Sequence, residues 1–160
     1  MVCSSPDLQS LPGRLSVTNL DALYQEVLLD HYRKPRNKGA LDGATADAEG
    51  RNPLCGDEVN VAIRMNGDVV EAIRFTGQGC SISQASASVM TQLVAGKSAA
   101  EVEALYERFH GLVTGTQPLG ESEGKQLGSM AAFAGVSKYP ARVKCATMSW
   151  HTLRKAMGTE

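Results

Sequence analysis

The 160-residue chain has few aromatic residues, only four cysteines and almost no net charge. Phe, Trp and Tyr make up 5% of the residues, and the formal net charge at pH 7 is −1. A chain with balanced charges has no overall attraction to the phosphate backbone of a nucleic acid or to an anionic membrane surface. No apolar run approaches the roughly 20 residues that a membrane-spanning helix needs. The composition therefore argues against a nucleic-acid-binding protein and against a membrane protein.

The N-terminal segment "MVCSSPDLQSLPGRLS" lacks recognisable targeting signals. It has no charged start followed by an apolar block, and no Arg-rich amphipathic pattern. We therefore expect a cytoplasmic protein. Residues 1–17 contain Ser, Pro and Gly without an apolar period and should form a flexible tail. The length of the chain predicts one domain over residues 18–160.

The four cysteines are too far apart to form a Cys-x-x-Cys pair, which excludes a thioredoxin-like redox motif. They are Cys3, Cys55, Cys80 and Cys145. In a reducing compartment, widely spaced thiols more often bind metal or react than form disulfides. Cys3 belongs to the tail and is interpreted as an inert thiol. The other three are candidates for a functional site.

Local patterns predict a small antiparallel sheet. Apolar residues alternate with polar or small ones over residues 59–65, which is the period of a half-buried strand. Asn66 and Gly67 then favour a tight hairpin turn, and residues 69–76 form the returning strand. A weaker signal over residues 45–48 indicates an edge strand. The sequence thus predicts a three-stranded sheet.

Helical spacing and capping signals predict the other elements. One helix should begin near Leu20, capped by Thr18 or Asn19. Ser81 with Gln84, and Ser98 with Glu101, have the spacing of capping boxes. The last helix should open at Pro140. Residues 111–128 are turn-rich and predict a long surface excursion, followed by a short helix over residues 129–134. The expected fold class is α+β, a small antiparallel three-stranded sheet packed against helices.

Three cysteines lie at the ends of predicted elements. Cys55 lies in the turn before a strand, Cys80 directly precedes a helix, and Cys145 lies in about the first turn of the last helix. Free amides and the helix dipole would favour thiolates at the two helix starts. Neighbouring thiolates repel one another, and a divalent cation that binds them removes this repulsion. Asp57, beside Cys55, could complete a site of three sulfurs and one oxygen.

The donor set narrows the identity of the metal. Structural zinc sites are usually closed by cysteine and histidine, so a carboxylate ligand indicates a site that opens. Magnesium and calcium prefer shells made of oxygen alone. A sulfur-rich set therefore favours Zn²⁺ or an iron-sulfur cluster.

Four fragments in order carry a family resemblance: "LYQEVLLDHYRKPRN", "NPLCGDEV", "GQGCSISQASASVM" and "YPARVKCATMSW". Together they resemble the U-type iron-sulfur cluster assembly proteins, the IscU, NifU N-terminal and SufU family. The resemblance covers nearly everything after Leu20 and implies a SufE/NifU-like fold. It also implies that Cys55, Asp57, Cys80 and Cys145 are the metal ligands.

Two features resemble the SufU branch of this family. Lys144 stands where the IscU type has a histidine, and the insertion at 111–128 is absent from that type. The SufU resemblance implies a zinc-dependent, sulfurtransferase-like protein that accepts sulfur from a SufS-type cysteine desulfurase, with a SufBCD-type scaffold downstream. Cys55 would be the catalytic acceptor and Arg142 a supporting residue.

Two alternatives stay open at this point. The same four ligands could assemble a [2Fe-2S] cluster on a scaffold protein. Alternatively, the chain could be a structural zinc module that binds a protein through the excursion at 111–128.

Overall fold

The computed structural model describes residues 12–160, and the side chains of residues 22–160. Residues 1–11, which make up most of the predicted tail, lie outside the described residues. The elements in chain order are α1 (Pro12–Arg33), β1 (Ala46–Asn52), β2 (Asp57–Asn66), β3 (Val69–Gln78), α2 (Ser81–Val94), α3 (Ala99–Thr114), α4 (Glu123–Leu127), a 3-10 helix (Gly128–Lys138) and α5 (Pro140–Met157).

The three strands form one antiparallel sheet in the order β1-β2-β3, which confirms the predicted fold class. Residues of β2 alternate between buried and partly exposed positions, as their apolar pattern predicts. Gly67 lies in the turn between β2 and β3 with φ 64°, a left-handed conformation that favours glycine. The predicted edge strand exists and is longer than expected, since β1 continues to Asn52 and brings that residue opposite Asp57.

Helices cover the sheet because their apolar faces need burial. α5 packs against β1 and β2 and also contacts α2. Small residues on α2 allow the two helices to approach closely, and the Ser86 hydroxyl donates a hydrogen bond to the Ala146 carbonyl across this contact. The fully buried Trp150 ring stacks on Phe109 with centroids 5.0 Å apart. This packing holds the start of α5 against the end of β1, where the candidate site lies.

The capping predictions have different outcomes. The capping box of Ser98 and Glu101 is confirmed in both directions, with hydrogen bonds of 2.9 and 3.2 Å. The box predicted for Ser81 and Gln84 is wrong. α2 begins at Ser81, but its N-cap is Cys80, which makes no side-chain capping bond.

Two helix boundaries also differ from the prediction. α1 begins at Pro12, not at a cap formed by Thr18 or Asn19. α3 continues to Thr114 because Leu112 and Val113 are buried against the core, so the predicted surface excursion begins only at Gly115, which ends the helix with φ 82°. The helices of the described part are all too short or too polar to cross a membrane.

Candidate metal centre

The hairpin between β1 and β2 presents Cys55 to solvent. Asn52 and Asp57 are paired in register at the two sides of this turn. The backbone N–H of Cys55 donates a 3.2 Å hydrogen bond to the Asn52 carbonyl, and Gly56 has φ 69°. Cys55 is exposed, and the neighbouring Leu54 has 83% of its surface accessible. The turn therefore holds a reachable sulfur on a defined backbone.

Asp57 is buried at the start of β2, with only 1% of its surface exposed. Its Oδ1 accepts a 2.9 Å hydrogen bond from the backbone N–H of Cys80, at the N-terminus of α2, where the helix dipole favours a negative charge. Its Oδ2 lies 3.9 Å from Cys80 Sγ. Gly79 makes this approach possible, because a Cβ at that position would collide with the Asp57 carboxylate and the Ser83 hydroxyl.

Cys145 is fully buried in α5, and its sulfur lies 3.4 Å from that of Cys55. Because α5 begins at Pro140, Cys145 lies in the second turn and not beside the free amides. The expectation that free amides at the helix start favour a thiolate at Cys145 is therefore wrong. Burial raises the pKa of the Cys145 thiol, and hydrogen bonds with Cys55 and Asp57 add to this effect. Without a cation, burial thus favours the protonated thiol over the thiolate at this position.

Three of the four predicted ligands come together at one place. Cys55, Asp57 and Cys145 each offer one ligand atom, and these atoms lie within 4.8 Å of one another. Cys80 lies beside this group of three residues, with its sulfur 3.9 Å from Asp57 Oδ2. Cys55, Cys80 and Cys145 are all free thiols. With Cys80 included, the site would offer three sulfurs and one carboxylate, a donor set that suits a borderline or soft divalent cation.

Arg142 lies on the surface beside this cluster, one turn before Cys145. Negative charge on the sulfur of Cys80, and then on that of Cys145, would raise the pKa of the Arg142 guanidinium. A permanent positive charge near the sulfurs can balance an excess of thiolate charge. Its supporting role is compatible with this position and stays a prediction.

Two grooves flank the cluster. One is lined by Leu54 and Lys144 and runs between β1 and α5. The other is lined by Ser81, Tyr139 and Arg142 and runs between α1, α2 and the start of α5. Lys144, one of the two departures noted in the sequence, is exposed in the first groove.

The sequence patterns did not predict one residue of the cluster, Asn52. Asn52 is buried, with 7% of its surface exposed, and its side-chain Nδ2 donates to Cys145 Sγ at 3.9 Å. The strand predicted over residues 45–48 ended before Asn52. Had the strand been predicted to continue to Asn52, its pairing with Asp57 would have placed Asn52 at the site.

Comparisons with known proteins identify relatives for most of the chain. The family model of the NifU-like N terminal domain matches residues 23–146. The zinc-dependent sulfurtransferase SufU of Bacillus subtilis (strain 168) is 43% identical over 142 residues, which cover 89% of this chain and 94% of that protein. The iron-sulfur cluster assembly scaffold protein IscU of Streptococcus pyogenes serotype M1 is 39% identical over 143 residues, which cover 89% of this chain and 87% of that protein.

A solved structure supports the fold. The crystal structure of a nitrogen-fixing NifU-like protein (N-terminal) from Brucella abortus has a TM-score of 0.76 to this chain and 25% sequence identity. The similarity covers 88% of this chain and 95% of that one.

Proposed function

The chain belongs to the family of the NifU-like N-terminal domain, and we propose that it is a zinc-dependent sulfur acceptor in iron-sulfur cluster assembly. One observation carries this proposal. The exposed sulfur of Cys55 lies 3.4 Å from the buried sulfur of Cys145, within a donor group that Asp57 completes. Such a site combines a sulfur that a partner can reach with ligands that stay anchored. The similarity to a zinc-dependent sulfurtransferase of Bacillus subtilis supports it.

The four donors would hold Zn²⁺ through Cys55, Asp57, Cys80 and Cys145. Bound zinc keeps cysteine sulfurs deprotonated at neutral pH. The protein contributes the arrangement of the ligands. The Cys80 amide orients the Asp57 carboxylate, burial fixes Cys145, and the hairpin turn leaves Cys55 exposed.

In the proposed transfer, Cys55 accepts the outer sulfur of a persulfide on the donor protein. The Cys55 thiolate attacks that outer sulfur, a new sulfur-sulfur bond forms at Cys55, and the sulfur-sulfur bond of the donor breaks. The donor cysteine leaves as a thiolate, and the proton stays with the transferred sulfur. No electrons are gained or lost overall, so the step needs no further oxidant or reductant. The activity is sulfurtransferase-like.

The proposed sulfur donor is a SufS-type cysteine desulfurase, and the proposed recipient is a SufBCD-type scaffold. Leu54 and Tyr139, at the two grooves beside the site, are exposed apolar side chains that a protein partner could cover. We propose no nucleic-acid or membrane partner. The free state of the three described thiols fits a reducing compartment such as the cytoplasm.

Residues 18–160 are further proposed to form a single domain. α5 contacts β1, β2, α2, α3 and the 3-10 helix, so one helix joins most of the other elements. A single cooperative unfolding transition would agree with this proposal.

The second candidate is a scaffold that assembles a [2Fe-2S] cluster on the same ligands. The 39% identity to a Streptococcus pyogenes scaffold protein favours it. The two candidates differ in the metal that the purified protein carries. Protein purified without oxygen should be colourless with one zinc per chain if it is the acceptor, and brown with iron and sulfide if it is the scaffold.

The acceptor function is tested by desulfurase turnover with Cys55→Ala, with Cys3→Ala as the matched control. The zinc-loaded protein and the control should stimulate alanine release by the desulfurase, whereas Cys55→Ala should not. A Cys55→Ala variant that folds, binds the desulfurase and stimulates turnover fully would overturn the assignment.

A further inference from the structure

We propose that Asn52 is a positioning residue that holds the sulfur of Cys145 in the metal site and weakens it as a nucleophile, so that Cys55 is the sulfur that reacts. This inference rests on the proposed function, because it requires a metal ion on these ligands.

Asn52 contacts three parts of the site at once. Its backbone carbonyl accepts the hydrogen bond from the Cys55 amide at 3.2 Å. It is paired in register with Asp57 across β1 and β2. Its side-chain Nδ2 donates to Cys145 Sγ at 3.9 Å, which links the sheet to α5. A single residue therefore connects the turn, the strand position opposite Asp57 and the buried sulfur.

The side-chain amide of Asn52 gives two neighbouring sulfurs different surroundings. Cys55 and Cys145 have their sulfurs 3.4 Å apart. Within residues 22–160, Asn52 supplies a nitrogen donor to Cys145, whereas the Cys55 sulfur receives only the Cys145 thiol. An N–H donor stabilises negative charge on a sulfur. A sulfur stabilised in this way donates its electrons less readily, which lowers its nucleophilicity.

The chemistry of the carboxamide fixes its orientation when a metal is bound. A metal-bound thiolate has no proton and can only accept a hydrogen bond. Only the NH₂ end of the Asn52 side chain can then face Cys145. Because the side chain is buried, losing this contact would leave a buried polar group without its partner. The residue is therefore suited to a site whose sulfur is deprotonated.

The test uses Co²⁺ as a probe on metal-free protein and compares the unmodified chain with Asn52→Leu. Leucine has a similar size and no N–H donor. Removing the hydrogen bond raises the energy of the sulfur electrons, so the sulfur-to-cobalt charge-transfer band should move to longer wavelength. The affinity for Co²⁺ should fall about 10-fold or more, as for other residues that orient metal ligands. Asn60→Leu is the control. Its amide lies on the same sheet and contacts Asp47 at 3.5 Å, not a sulfur, so the band should not move.

Asn52→Ala is the second variant if the leucine disturbs the fold, which circular dichroism would show. An unshifted band in a folded Asn52 variant overturns the proposal, whatever its Co²⁺ affinity. If the unmodified protein shows no sulfur-to-cobalt band, the metal site is wrong and the inference fails with it. If the band shifts as expected but the protein does not stimulate a desulfurase, the sulfur-acceptor function fails while the role of Asn52 at the metal site stands.

Discussion

The Asp57 carboxylate accepts a 2.9 Å hydrogen bond from the backbone N–H of Cys80, and this bond joins the first residue of β2 to the N-cap of α2. The two residues are therefore held together before any metal binds. This close approach of Asp57 leaves no room for a side chain at Gly79, the residue before Cys80.

Gly79→Ala should destabilise the protein and lower its zinc content. A methyl group at this position would collide with the Asp57 carboxylate and the Ser83 hydroxyl. Overpacking of this kind typically costs about 1–3 kcal/mol. Gly135→Ala is the matched control, since its Cβ would meet nothing within 4 Å. Urea unfolding and zinc analysis would measure both effects, and equal behaviour of the two variants would contradict the prediction.

Asp57→Asn should weaken zinc binding by about 10-fold or more. That is the loss typical when a residue that only supports a ligand is changed, and a change to the ligand itself should cost at least as much. The amide can still accept a hydrogen bond from Cys80 through its oxygen, but it has lost the negative charge that attracts the cation. Competition with a chromophoric zinc chelator measures the affinity. The exposed Asp47→Asn serves as the control for loss of one negative charge. Unchanged affinity in Asp57→Asn would exclude this carboxylate as a ligand.

Removal of the metal should lower the melting temperature. A cation that binds only the folded state stabilises it, by about 4 kcal/mol when the free cation concentration is a thousand times the dissociation constant. A chelator should therefore lower the melting temperature, and added Zn²⁺ should restore it. The Cys145→Ala variant should respond much less to either treatment. If the melting temperature of the unmodified protein changes with neither chelator nor zinc, the prediction of a metal centre is wrong.

The stability of the protein should fall in mild acid because of His31. This side chain is buried and hydrogen-bonded to the Ser88 hydroxyl at 2.7 Å. Burial, followed by the charge of Arg36, lowers the pKa of His31, and the Asp30 charge opposes them only partly. As the pH falls below about 6.5, the unfolded chain takes up the proton first, so the free energy of unfolding decreases.

Urea unfolding between pH 7.5 and pH 5.5 measures this dependence. His31→Gln keeps a hydrogen-bonding group for Ser88 but does not titrate, so its unfolding free energy should vary less with pH. If its pH dependence equals that of the unmodified chain, His31 is not the cause.

The sequence predicted those features that depend on neighbouring residues. The alternation over residues 59–65 and the spacing of Ser98 and Glu101 are local signals, and the strand and the capping box form as expected. The capping box of Ser81 and Gln84 failed because Cys80 occupies the cap position, where its amide is bonded to Asp57. That partner comes from a strand 23 positions earlier, which a local pattern cannot reveal.

The candidate site was predicted from helix ends and from the resemblance of four fragments. The depth of Cys145 was not predictable, because it depends on how α5 packs over the sheet. The contact of Asn52 with Cys145 spans 93 positions in the chain and depends on the same packing. Side-chain environment at this site is thus a property of the tertiary structure.

The most direct test of the central claim is the mass of the cysteine-containing peptides after the zinc-loaded protein has reacted with a SufS-type desulfurase and cysteine. The account predicts that the peptide containing Cys55 gains the mass of one sulfur atom, while those of Cys80 and Cys145 do not. Added sulfur on Cys80 or Cys145 with none on Cys55, or no added sulfur while the desulfurase is active, would contradict it.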